Sequence, residues 1–132
     1  MVRIAVVDDD AVFVSLLQEV FGLYGWETVW NRDGGGTVSW LGNEHPDLVI
    51  VDPHTSLPDG GMTLLREREV DPVLAGIPMV VCSGDLPQLD VLRPWLEDRG
   101  IEALAKPVDL DALCAMVERN LVTDRAVVRA RA

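Results

Sequence analysis

The sequence predicts an α/β domain built on a parallel sheet, and three observations predict it. Short apolar, β-branched runs alternate with longer segments whose apolar residues recur at helical spacing. Three of the runs are apolar throughout, as strands covered by helices on both faces must be. Clusters of glycine, proline and aspartate punctuate the boundaries.

The first run, Ile4-Ala5-Val6-Val7, ends in Asp8-Asp9-Asp10 and reads as a buried strand. Over residues 11–24, Val12, Leu16, Leu17, Val20 and Leu23 mark a helix, with Asp10 as its N-cap and Gly25 as its stop. Residues 26–30 read as a second strand. Gly34-Gly35-Gly36 turn the chain into a short, weaker helix centred on residues 37–41. His45-Pro46-Asp47 precede a continuous buried strand, Leu48-Val49-Ile50-Val51, which ends in Asp52. His45 itself reads as a surface residue. A loop rich in turn residues covers 53–60, and a helix covers 62–70, closed by Asp71-Pro72 and Gly76. Residues 77–82 form the next buried strand, ending in Ser83-Gly84-Asp85. A helix over 89–97 contains Pro94, an awkward residue for a helix interior. The last strand, 101–105, ends in Lys106-Pro107, and the last helix covers 110–121. Five β-α units in a row imply one doubly wound sheet with helices on both faces. Right-handed crossovers then place every strand C-terminus at one edge, where such sheets bind ligands.

Bulk properties narrow the function. The 132 residues fit one domain. A formal charge of −11 repels nucleic acid and anionic lipid, so neither is expected as a direct partner. No apolar run approaches the roughly 20 residues of a membrane helix, and the N-terminus lacks the pattern of a signal peptide, so a cytoplasmic location is expected. Cys82 and Cys114 lie in apolar segments without metal-ligand spacing and read as buried free thiols. There are ten Arg and one Lys, Lys106, which suggests a place that needs a compact ammonium.

The residues that end the strands share the sheet edge: Asp8 and Asp9, Asp52, Ser83 and Lys106. Hard carboxylate oxygens suit Mg²⁺, and clustered carboxylates favour a divalent cation. A carboxylate can also attack phosphorus and carry an aspartyl-phosphate, while an ammonium and a hydroxyl can steady the transferring group. Each residue alone has a simpler role in capping or turning the chain. All of them in this order point to a cation-binding pocket for a phosphoryl group.

On the runs Val6-Val7-Asp8-Asp9-Asp10, Pro46-Asp47-Leu48-Val49-Ile50-Val51-Asp52, Asp59-Gly60, Val80-Val81-Cys82-Ser83-Gly84 and Ala105-Lys106-Pro107, the sequence resembles the receiver domain of two-component response regulators. The resemblance implies a flavodoxin-like (βα)5 sheet of order 2-1-3-4-5, with a receiver domain over 1–121 and a tail or the start of a linker over 122–132. It makes Asp52 the phosphoacceptor. It gives Mg²⁺ to Asp8, Asp9, Asp52 and the backbone carbonyl of His54, sets Lys106 against the phosphoryl oxygens, and makes Ser83 the sensing hydroxyl. It implies a sensor histidine kinase or histidine phosphotransfer protein as donor, a downstream protein or effector domain as target, and a homodimer as one arrangement of the family. Two departures stand out. Ala103 occupies the position of the usual switch aromatic, with Trp95 as a nearby substitute, and Thr55-Ser56 replace the usual Met-Pro or Leu-Pro after the acceptor. His54 and Asp85 fall where they can influence water attack on the phosphoryl group. Two rival readings are a pseudo-receiver that binds proteins without phosphorylation, and a haloacid-dehalogenase-like phosphatase with Asp8 as nucleophile.

Overall fold

The computed structural model describes residues 1–32, 36–54 and 60–131, with 122–131 as backbone alone. The expected turn at Gly34-Gly35 and the loop residues Thr55 to Asp59 lie outside the described residues. The chain runs β1 (Arg3–Val7), α1 (Ala11–Leu23), β2 (Glu27–Asn31), α2 (Thr37–Glu44), β3 (Leu48–Val51), α3 (Gly60–Glu67), α4 (Pro72–Ala75), β4 (Met79–Ser83), α5 (Leu86–Asp98), β5 (Glu102–Ala105) and α6 (Leu110–Arg131). The strands form one parallel sheet of order β2-β1-β3-β4-β5.

Alternation along the strands builds two cores, because successive side chains point to opposite faces. Ile4, Val6, Leu48, Ile50, Val80 and Cys82 pack beneath α1 and α6, against Phe13, Val14, Leu17, Phe21, Leu113 and Val117. Ala5, Val7, Val49, Val51, Met79 and Val81 pack on the other face, against Leu41, Leu64, Leu65, Leu74, Leu89 and Leu96. Continuous apolar strands were needed because both faces are covered.

The apolar stripe expected on α1 is corrected. Val12 is 79% and Leu23 86% exposed, and Leu16 is also exposed. Leu17 is buried and Val20 packs against the core as expected, while Phe13, Val14 and Phe21 take the place of Val12, Leu16 and Leu23 on the buried face. The segment is apolar nearly all round, so periodicity alone did not choose the face.

Boundaries shift for local reasons. Asp10 caps α1 as expected, accepting from the Val12 and Phe13 N–H groups. Asp71 does the same for Val73 and Leu74, so one more helical turn, α4, follows α3 where the sequence predicts only the end of a helix. Asp85 accepts from Gln88 N–H, which starts α5 at Leu86 rather than at 89. α5 continues through Pro94. His45 takes a left-handed φ of 50° at the end of α2 and is exposed, as expected of a surface residue. Among the described residues no helix is long and apolar enough to cross a membrane.

Candidate functional site

β1 and β3 are neighbours at the centre of the sheet, so the residues that follow them meet at its C-terminal edge. Carboxylate oxygens of Asp8, Asp9 and Asp52 lie within 4.8 Å of one another. Lys106, just past β5, reaches across to both strands. Its Nζ donates to Asp8 Oδ2 at 2.8 Å and to Asp52 Oδ2 at 3.2 Å. The ammonium also lies 4.5 Å from the centroid of the Phe13 ring, a cation–π contact from the first turn of α1.

The other carboxylate oxygens are held by the turns that leave the strands. Asp8 Oδ1 accepts from the Asp10 N–H at 2.9 Å, and Asp52 Oδ1 from the His54 N–H at 2.8 Å. Ser83 is buried, and its Oγ accepts from the Asp85 N–H at 3.1 Å, which shapes the turn into α5. His54 Nε2 lies 3.6 Å from Asp85 Oδ2, joining the loops after β3 and β4 at the mouth of the site.

Burial and pairing compete here. Burial pushes the Asp8 carboxyl above its ordinary range, and the hydrogen bond from Lys106 only partly offsets it. For Lys106, burial favours loss of the proton, but the bond to Asp8 and the charges of Asp8 and Asp52 outweigh it and hold the ammonium above its usual value. The Asp8–Lys106 bond therefore favours charge on both partners, yet only the lysine ends with a net gain. The thiol of Cys82, beneath the site, is pushed up to about 12, chiefly by burial, and stays protonated. Three carboxylates against one ammonium make a donor set suited to a hard divalent cation, which takes oxygen ligands and relieves repulsion among them.

Every site residue expected from the sequence and described in the structure lies on this edge. Three further residues shape the site without having been expected to. Phe13 seats the lysine. Trp30, at the end of β2, donates its indole N–H to the Asp8 carbonyl oxygen at 2.7 Å. Gly61 lies so close to the backbone after β3 that a Cβ there would stand 1.9 Å from the Asp52 carbonyl oxygen. The available signals were an apolar residue three positions past the Asp10 cap, an indole donor at a strand end, and a second glycine where α3 begins. Trp95, the nearby candidate for the role of the switch aromatic, carries Arg99 stacked 3.9 Å above its ring.

Residues 4–118 match the family model described as response regulator receiver domain. Sporulation initiation phosphotransferase F of Bacillus subtilis is 29% identical over 90% of this chain and 93% of its own length. Regulatory protein AtoC of Escherichia coli is 30% identical over 90% of this chain, which spans only 25% of that protein. A solved response regulator receiver domain protein from Clostridium thermocellum superposes with a TM-score of 0.80 at 17% identity, covering 96% of this chain and 99% of that one. Sheet order, matched span and relatives agree, and the chain belongs to the response regulator receiver domain family.

Proposed function

We propose that this domain accepts a phosphoryl group on Asp52 from a phosphohistidine on a sensor kinase or phosphotransfer protein. The observation that carries the reading is the single ammonium of Lys106 shared between Asp8 and Asp52, inside a triad of carboxylates. Asp52 attacks phosphorus through one carboxylate oxygen. The new O–P bond forms as the P–N bond to the donor imidazole breaks, and the imidazole leaves with the N–P electron pair. Lys106 turns part of its charge to the phosphoryl oxygens, and the Ser83 hydroxyl offers them a hydrogen bond. That bond draws the turn at Asp85 inward and so moves the start of α5.

Mg²⁺ fits the donor set of Asp8, Asp9 and Asp52; these carboxylates, with the His54 carbonyl, would hold it, and when bound it would supply positive charge to the transferring oxygens. Asp52 is favoured over Asp8 as nucleophile because its side chain keeps 8% exposure against 1%. A donor protein has a surface to land on beside the pocket. Val12 and Leu16 are exposed there, on a groove of about 350 Å³ that also includes Phe13, Lys106, Pro107 and Val108.

Incubation with Mg²⁺ and acetyl phosphate, followed by intact-mass measurement, tests the reading. The domain should gain one phosphoryl group, and Asp52→Asn should abolish the gain. Label that persists in Asp52→Asn and is lost in Asp8→Asn points to phosphatase-like chemistry. No label from any donor, with no Mg²⁺ affinity, leaves a module that binds proteins without phosphorylation.

A further inference from the structure

We propose that Trp30 is a positioning residue for the acidic pocket: its indole N–H grips the Asp8 carbonyl and fixes the peptide that joins Asp8 to Asp9. The role rests on the cation-binding reading above and extends it to a residue outside the pocket.

The backbone shows why the position matters. In a strand, the N–H and C=O of one residue point to the same side. Val7 sends its carbonyl toward β3, where the Asp52 N–H donates to it at 2.9 Å. Asp8 therefore faces β2, and its N–H donates to the Asn31 carbonyl at 3.2 Å. The Asp8 carbonyl points to the same side, toward the end of β2 at Asn31. A carbonyl left unpaired in this half-buried corner would be costly. The Trp30 indole reaches forward and donates to it at 2.7 Å.

Asp8 is thus held at four points. Its backbone is gripped by Asn31 and Trp30, and its carboxylate by the Asp10 N–H and Lys106. The Asp8 carbonyl belongs to the same planar peptide as the Asp9 nitrogen. A tilt of that plane moves the Asp9 Cα, and with it the carboxylate that completes the triad. Among the described residues Trp26, Trp40 and Trp95 each pack against one of the two cores, whereas Trp30 is 36% exposed.

Calorimetric titration with Mg²⁺ alone tests the role on four proteins. These are the unsubstituted domain, Trp30→Phe, a domain with β-(3-benzothienyl)alanine at position 30, and Trp40→Phe as a control away from the pocket. The benzothienyl ring keeps the shape of indole and has no N–H donor. Both changes at position 30 should weaken Mg²⁺ binding about fivefold, the size expected for one neutral hydrogen bond coupled to the site, and Trp40→Phe should not. Affinity unchanged in the benzothienyl protein overturns the role while leaving the cation site intact. A drop shared equally by Trp40→Phe also overturns it, since any lost packing would then suffice. Absence of Mg²⁺ binding in the unsubstituted domain sinks the cation site itself, and this role with it.

Discussion

At Asp8, burial pushes the carboxyl up, while Lys106 and the Asp10 N–H pull it down by less. A carboxyl whose folded value lies above its unfolded value near 3.8 takes up protons on folding. The domain without metal therefore loses stability as pH rises from 3.8 through the raised value, and does not regain it above. Lys106 acts in a different window: held above 10.5, it contributes stability that is complete below 10.5 and lost only as pH climbs through its folded value. Asp8→Asn removes the first dependence. With metal chelated, its melting temperature should gain on that of the parent by a few degrees between pH 3.5 and 6. A constant difference across that range would remove burial of Asp8 as the cause. The chemical residues of this pocket were legible in the sequence because each ends a strand, and strand ends share an edge. Phe13 and Trp30 were not, because a ring under an ammonium and an indole on a carbonyl depend on how neighbouring elements face one another.

α3 begins in close contact with the backbone that follows β3. Gly61 meets the Asp52 carbonyl so closely that a Cβ would overlap it at 1.9 Å, and the listener on the other side is backbone, which cannot rotate away. Gly61→Ala must therefore push α3 off the sheet or displace the backbone at Asp52 and Pro53. Its cost should be about 3 kcal/mol, the upper range for overpacking, measured by urea unfolding. A cost below about 0.5 kcal/mol, typical of an unconstrained surface site, would show that the helix seat yields freely. Helix or strand was readable for every described element but α4, yet facing was not always so. In α1 the error arose because Val12, Leu16 and Leu23 offer as good a stripe as Phe13, Val14 and Phe21. The sheet beneath chooses between them: the helix must cover Ile4, Val6 and Ile50, and the Asp10 cap fixes its rotation. α4 was missed because four residues are too few to show a period.

Across the whole molecule, the −11 charge and the pocket obey the same electrostatics at different ranges. Acids spread over the surface repel one another, so any salt relieves them within a Debye length of about 8 Å at physiological strength. The triad of Asp8, Asp9 and Asp52 is partly or wholly buried, and dissolved sodium screens it poorly. A cation that enters the pocket binds the folded state and not the unfolded one, and stabilises it by about 2.7 kcal/mol at one hundred times its dissociation constant. The two effects separate at matched ionic strength. MgCl₂ should raise the melting temperature of the parent well beyond what NaCl achieves, and Asp9→Asn should bring the two salts close together. Equal shifts by both salts in the parent would mean that surface repulsion accounts for the whole response, and that the carboxylate triad holds no ion.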